Sequence, residues 1–302
     1  MGPFIKKSVW LGLISLLIFC AVLSIADGAS DPFYLRFTTP KQENLVIGTS
    51  RSAQGIQPSV IKELSGGLDF YNFSFTVAHS PFGPVYLDAI KKKVKKGNKR
   101  STFIVSVDPW SISSTSPDPN NEDDFREKDL ALGKVNFVNV NPNLEYLFKM
   151  FTGNYHLIIE RKFNERSMIL KDDGWLMVTV PMDSVSIYSR TKKKLSSYRD
   201  QVENYRYSSK RLEYLKKTLE YLKDHGEVIV IRLPIHPEMM KIEEGFMPDF
   251  NEKVNQLSPY FDSYLDFTNK NGDLEYTDGN HLSINSGRIV TQWITDSIMG
   301  SK

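Results

Sequence analysis

Short apolar runs recur along this chain at intervals filled by helix-forming sequence, and that alternation constrains the fold more than any other feature. Asn44–Ile47, Leu68–Phe75 (LDFYNFSF), Thr102–Val107 (TFIVSV) and Glu227–Leu233 (EVIVIRL) have the length and the β-branched or aromatic content of strands, and Tyr260–Phe267 is a weaker fifth. Between them, Pro58–Leu64 opens a helix with proline in its first turn, where a missing N–H costs nothing, and Pro84–Lys96 is amphipathic. Parallel neighbours need crossover connections, and these place helices on both faces of a sheet whose strands are then apolar throughout. The expectation is an α/β fold, a three-layer sandwich around a mostly parallel five-stranded sheet.

Two stretches break the alternation. Asp108–Arg190 is too long for a simple crossover; it contains a polar loop, Ser113–Glu127 (SSTSPDPNNEDDFRE), and an alternating run, Gly174–Val180 (GWLMVTV), that reads as an exposed-edge strand. We read about residues 108–190 as an insertion. It leaves from the carboxyl end of the third strand, the edge at which open α/β sheets bind ligands, so a lid or substrate-binding subdomain is expected. Lys192–His225 is long and helical, with Tyr198, Tyr205, Leu212 and Leu219 spaced by sevens; it is expected to pack on the sheet, with a break near Ser208–Ser209.

The amino terminus has a different character. Lys6 and Lys7 precede nineteen uncharged residues, Ser8–Ala26, which as a helix would span about 28 Å, close to the thickness of a bilayer core. Residues 1–27 are therefore read as a membrane anchor or signal segment. Its length favours an uncleaved anchor, although Ser24-Ile25-Ala26 has the small residues of a cleavage site, and cleavage there would make the protein secreted. The lysines place the amino-terminal side in the cytoplasm and the remainder outside it, periplasmic or at the cell surface. Bulky Phe19 before Cys20 argues against a lipoprotein signal and leaves Cys20 as a lipid-facing thiol. Residues 28–43 read as a proline-punctuated tether and residues 44–302 as the α/β domain, so removal of Met1–Asp27 is expected to leave a soluble folded domain.

Composition narrows the function. In 302 residues, 40% hydrophobic and 25% charged, the net charge is +2, which gives no reason to expect nucleic acid as a partner. The single cysteine excludes an intrachain disulfide and any multi-cysteine metal site. No carboxylate pair, Gly-rich phosphate loop or metal-ligand cluster stands out, so neither cofactor nor metal is expected.

Two short motifs carry chemistry. The first apolar run ends in Gly48-Thr49-Ser50-Arg51, and Tyr276–Arg288 (YTDGNHLSINSGR) places Asp278 and His281 three residues apart before the last helix. A serine attacks only when a base takes its proton, and a histidine base works best when an acid fixes its tautomer. Taken singly, each motif is also an ordinary helix cap or tight turn. Together and in this order they resemble the SGNH/GDSL hydrolase superfamily, whose first block is Gly-Asp-Ser-like after strand one and whose last is Asp-x-x-His before the terminal helix. The resemblance implies a flavodoxin-like, SGNH-type sheet, with Ser50 as nucleophile, His281 as base and Asp278 as its orienting partner. There is a looser similarity to membrane-anchored SGNH-like proteins of bacterial envelopes, some of which work with membrane-bound O-acyltransferases on cell-surface polymers.

Where the family supplies oxyanion donors from a glycine and an asparagine, this chain reads TVAHSPFG and SVDPWSIS. An oxyanion would then rely on the Ser50 N–H with help from Arg51 or the backbone around His79 and Ser80. Asp108, Trp110 and Ser111 stand at the base of the insertion; the Trp110 ring is either a stacking surface for a sugar or a filler beneath the insertion. His79 and His236 follow the second and fourth strands and are site candidates or simple loop histidines. Arg232, a cation inside an apolar strand, needs an acid or an anionic ligand. The run Lys91–Arg100 (KKKVKKGNKR) reads as a solvated helix end. These features together predict an extracytoplasmic serine-dependent acyl-ester hydrolase or O-acyltransferase acting on a cell-envelope glycan or related ester; the alternative is a non-catalytic SGNH-like binding or assembly protein of the envelope.

Overall fold

The computed structural model describes residues 2–97, 100–151, 154–164 and 166–300; Asn98 and Lys99 of the basic run, and Ser301 and Lys302 at the end of the α/β region, lie outside the described residues. Strands β1 (Leu45–Ile47), β2 (Tyr71–Asn72), β3 (Ser101–Ser106), β4 (Gly226–Arg232) and β5 (Ser263–Asp266) form one sheet in the order β2-β1-β3-β4-β5. Every pairing in it is parallel, and Ile104 lies opposite both Val46 and Ile229. This is the flavodoxin-like order of a doubly wound fold, in which the chain winds outward in both directions from β1 and β3 and leaves a crevice at their carboxyl ends.

Period-two alternation divides the core into two layers. Leu45, Ile47, Phe103, Val105, Val228 and Val230 face helices α4 (Pro84–Lys93) and α6 (Ser209–Lys223), where Tyr86, Ile90, Leu215, Leu219 and Leu222 meet them. On the other face Val46, Ile104, Ile229 and Ile231 pack with Ile61 of α3 (Pro58–Leu64) and with Val290, Ile294 and Ile298 of α8 (Ile284–Gly300). The second strand is shorter than its apolar run because it lies at the edge of the sheet. Its pairing nevertheless continues beyond Asn72, with Phe73 N donating to Val46 O at 2.8 Å and Phe75 N to Gly48 O at 3.2 Å. The long helical stretch breaks as expected: α5 (Ser184–Val202) stops before α6, whose first turn is capped by Ser208 Oγ accepting from Arg211 N at 3.1 Å.

The tether expected at residues 28–43 is instead part of the core. Tyr34 and Phe37 are buried, and Arg36 donates to Pro32 O, Asn72 O and Gly174 O at 2.9, 3.3 and 2.8 Å. Apolar residues on a five-residue helix, Tyr34–Thr38, meet Tyr146 of the insertion, with ring centroids 5.5 and 4.7 Å from Tyr34 and Phe37. The basic run is corrected in one place too. Lys93 is fully buried, donating to the carbonyls of Arg36, Thr39 and Val138 at 3.0, 2.7 and 2.7 Å, and burial with Arg36 beside it pushes its ammonium well below the ordinary value. The insertion also does more than flank the ligand-binding edge. Its hairpin, Met168–Leu170 paired antiparallel with Leu176–Val178, tucks against the β2 edge through Asn72 N to Asp173 O at 2.8 Å, and Leu170 and Leu176 pack on Ala53.

Helix α1 (Gly2–Ser24) is long and apolar enough to cross a membrane by length and composition, and Cys20 is exposed on it. Its last turns are docked on the domain: Leu23 is 2% exposed, and the Phe19 ring meets Tyr155 edge-on at 5.3 Å. Asp27, just beyond, pairs with Lys162 at 2.6 Å. Removing residues 1–27 should therefore leave a folded chain destabilised by about 3 kcal/mol, the cost of losing one buried leucine with its neighbours. A chain that begins at Asn44 should show no cooperative transition, because Tyr34, Arg36 and Phe37 leave with the deleted segment. Urea unfolding followed by tryptophan fluorescence checks both.

Candidate active site

At the carboxyl end of β1 the chain turns sharply into a six-residue helix, α2 (Ser50–Gly55). Glycine is required at the turn: a Cβ on Gly48 would collide with Ser52 Oγ and with Ser106 Cβ, the latter at 2.8 Å. Gly48 N is held by Tyr86 Oη at 3.0 Å, and Ser80 Oγ donates to Gly48 O at 2.7 Å. Thr49 Oγ1 donates to Asp108 Oδ2 at 3.0 Å, joining the turn to the end of β3. Ser50 thus starts α2 on a loop clamped from three sides. As the first residue of the helix its N–H has no intrahelical partner, so the local field favours negative charge beside it.

The Asp278–His281 loop is built by its own acid. Gly279 takes a φ of 82°, which favours glycine, and the turn lets Asp278 Oδ1 accept from the backbone N–H of Asn280 and of His281, each at 3.0 Å. The same carboxylate faces His281 Nδ1, at 3.1 Å from Oδ1 and 3.0 Å from Oδ2, and pairs with Lys194 of α5 at 3.2 Å. Burial raises the Asp278 pKa, but His281, Lys194 and the Asn280 N–H outweigh it and hold the carboxyl well below the usual carboxylate range. An ionised acid against Nδ1 fixes the proton there and leaves Nε2 as an acceptor. Nε2 lies 2.9 Å from Ser50 Oγ, across 231 residues of sequence.

A second, buried layer lies behind these three. Arg51 is 6% exposed; Nε and Nη2 donate to Asn280 Oδ1 at 3.0 and 2.7 Å, and Nη2 pairs with Glu243 Oε1 at 2.6 Å. Burial works against the Arg51 charge, but Glu243 and Asp108 more than restore it, so its pKa lies above the ordinary guanidinium value. Glu243, on helix α7 (Pro237–Phe246), also accepts from Trp110 Nε1 at 2.7 Å and pairs with Arg232 at 3.4 Å. Arg232 has therefore found an acid. Its guanidinium also sits 4.7 Å above the Phe250 ring and donates to Asn251 Oδ1 at 3.1 Å.

Other expectations change on the structure. Trp110 offers no open face to a sugar: it is 2% exposed, stacked on Phe246 with centroids 4.7 Å apart and flanked edge-on by Tyr198 and Tyr205. Of the two readings of this ring, the filler beneath the insertion is the one observed. Asp108 caps the turn Pro109–Ile112, with Oδ1 accepting from Ser111 N at 2.8 Å; burial raises its pKa against the pull of Arg51. Arg51 directs Nε and Nη2 to Asn280 and Glu243, so its charge is already paired with an acid. His79 packs on Phe33 and Phe75 and pairs with Thr76 Oγ1 at 2.7 Å. Burial, with Arg126 and Arg36 nearby, takes its pKa down to about 4, so the ring is neutral near pH 7. The Ser80 hydroxyl donates to Gly48 O at 2.7 Å, with Thr76 O a second, longer contact at 3.1 Å.

His236 lies against the Asp278–His281 loop. Its backbone N donates to Gly279 O at 3.2 Å, and its ring lines a cavity of about 580 Å³ with Ile187, Tyr188, Thr191, Leu195 and Arg199. The cavity abuts the Asp278–His281 loop from the α5 side, since a side chain at 279 would meet Thr191 and His236. Sequence reasoning passed over Glu243, Lys194 and Asn280. Only Arg232, a buried cation in need of an acid, pointed toward the first of them.

Neither a protein-family model nor a curated protein matches the sequence. Among solved structures, a carbohydrate acetylesterase family member from Sinorhizobium meliloti is similar with a TM-score of 0.36 at 9% identity, over 85% of this chain and 97% of that one.

Because the folded-state pKa of Asp278 is depressed, its charge stabilises the fold above the unfolded value of about 3.9, and that stability is lost as pH falls toward the folded value. Asp278→Asn should accordingly melt below the wild type at pH 7, with the gap narrowing steadily as the pH is lowered beneath the ordinary carboxylate range. Paired melting curves across that interval check the sign.

Proposed function

We propose that this chain is a serine-dependent acyl-ester enzyme, a hydrolase or an O-acyltransferase. One observation carries the reading: the unbroken line from Ser50 Oγ to His281 Nε2 at 2.9 Å and from His281 Nδ1 to Asp278 at 3.0 Å, on a serine at the start of a helix at the carboxyl edge of the sheet. Ser50 Oγ bonds to the ester carbonyl carbon as its proton passes to His281 Nε2, and the carbonyl π pair moves onto oxygen. Collapse of that alkoxide breaks the bond to the leaving alcohol, which takes the proton from His281, and an acyl-serine remains. Water or an acceptor hydroxyl then repeats the sequence in reverse. Asp278 stays ionised throughout and stabilises the imidazolium.

The cavity of about 580 Å³ beside the loop suits the acyl or acceptor portion, with Ile187 and Leu195 as apolar wall and the largely exposed Tyr188 as a stacking face that buried Trp110 cannot provide. Helix α1, with Lys6 and Lys7 at its start, supports a membrane-anchored enzyme whose folded part lies outside the cytoplasm. An envelope glycan ester as substrate, and a membrane-bound O-acyltransferase as partner, are the finer part of the proposal and follow the sequence resemblance.

A fluorophosphonate probe should label the wild type at Ser50 and leave Ser50→Ala unlabelled with an unchanged melting temperature. His281→Ala should lower turnover of 4-nitrophenyl acetate by about 100- to 10,000-fold, the range for losing a general base. Absence of labelling in folded wild type would make the chain a binding or assembly protein instead.

A further inference from the structure

With no asparagine after β3, the tetrahedral intermediate lacks an evident side-chain donor. We infer that Asn280 is that donor, a catalytic residue, and that Arg51 and Glu243 are positioning residues that aim it. This rests on the reading of Ser50 as nucleophile.

The orientation of the Asn280 amide is fixed by chemistry. A guanidinium can only donate, and Arg51 Nε and Nη2 lie 3.0 and 2.7 Å from one terminal atom of Asn280, so that atom is the oxygen and the amide nitrogen points the other way. It points at the reacting groups: Nδ2 is 3.3 Å from His281 Nε2, while Ser50 Oγ is 2.9 Å from the same nitrogen. The Asn280 side chain cannot turn toward water, being 3% exposed, and its clamp is itself anchored by the 2.6 Å pair between Arg51 and Glu243.

The resting and reacting states differ in where the proton sits. At rest His281 Nδ1 carries the proton against Asp278, and Nε2 has one lone pair, which the shorter contact from the serine hydroxyl occupies. The amide N–H of Asn280 lies at the margin of that bond. During attack the proton passes from Oγ to Nε2, which becomes a donor and can accept from neither neighbour. The π pair of the carbonyl meanwhile arrives on an oxygen attached to the carbon newly bonded to Oγ. The amide N–H, which at rest has only the margin of Nε2, then has no acceptor on the imidazole at all, and on this inference the new oxyanion becomes the acceptor left to it. The interaction therefore strengthens in the transition state, which is the condition for lowering the barrier rather than tightening ground-state binding. Donation from Arg51 to the amide oxygen polarises the amide and strengthens its N–H as a donor.

The test uses the full chain, 4-nitrophenyl acetate as substrate, and fluorophosphonate titration to count active serines. Asn280→Ala should lower kcat per titrated serine by about 100- to 1,000-fold, the usual cost of one oxyanion donor, with little change in KM. Asn280→Asp keeps the size and the Arg51 partner but removes the donor, and should lose kcat to the same extent; it decides the matter if the alanine variant fails to fold. Arg51→Lys keeps the charge without the paired grip on the amide oxygen, so kcat should fall with KM steady and phosphonylation should slow in parallel. A purely structural role would lower the melting temperature and the titrated fraction but leave kcat per titrated serine intact. Wild-type kcat per titrated serine in both Asn280 variants overturns this inference alone. A wild type that neither labels nor turns over ester overturns it together with the reading it rests on.

Discussion

Glu243 is a fully buried carboxylate, and the carboxyl edge of the sheet is organised around it. Three donors from three parts of the chain converge on its two oxygens: Arg51 from α2, Arg232 from the end of β4 and the Trp110 indole from the root of the insertion. Removing a charge from water costs several kcal/mol per ion, so each member is tolerable only while the others are in place. The consequence is geometric. The helix that begins with Ser50, the strand that precedes α7 and the turn that follows β3 cannot shift independently, because any shift strands a charge. The relative placement of Ser50 and the Asp278–His281 loop inherits that rigidity through the Arg51 bonds to Asn280.

The sheet was legible in the sequence because its evidence is local: a strand buried on both faces must be apolar throughout, and four such runs announce themselves. The same locality made Ser50, Asp278 and His281 visible, since a turn glycine beside a serine and an acid three residues from a histidine are patterns within one loop. Glu243 and Lys194 left no comparable mark. Each sits on an amphipathic helix among other charged residues, and what distinguishes it is a partner contributed by a different element. Asn280 stood within a quoted motif and was still passed over, because its importance lies in which end of its amide faces Arg51, and no sequence pattern encodes that. Trp110 shows an ambiguity that only the structure resolves: an aromatic residue at the carboxyl edge reads equally as a platform or a filler, and Phe246 and two tyrosines from distant segments close over it.

The segment before β1 misled for a related reason. Prolines, small residues and mixed polarity describe a linker, but they equally describe a short strap whose few large side chains find a prepared surface. Tyr34 and Phe37 enter the core together with Tyr146, while Arg36 donates to carbonyls of β2 and the insertion and Lys93 to carbonyls of the strap and the insertion. Two buried cations held mainly by carbonyl oxygens are an expensive solution.

The joint between α1 and the body of the protein is short and packed, with Leu23 buried and Asp27 paired with Lys162. Where α1 crosses a bilayer, such a joint behaves as a stiff mast rather than a leash. The serine then rides at a set height and heading above the lipid surface and sweeps a plane instead of a volume as the molecule diffuses laterally. If Ser50 attacks esters as proposed, encounter is governed by that plane: ester groups presented within the layer meet the serine repeatedly, and those beyond its reach stay untouched however abundant they are.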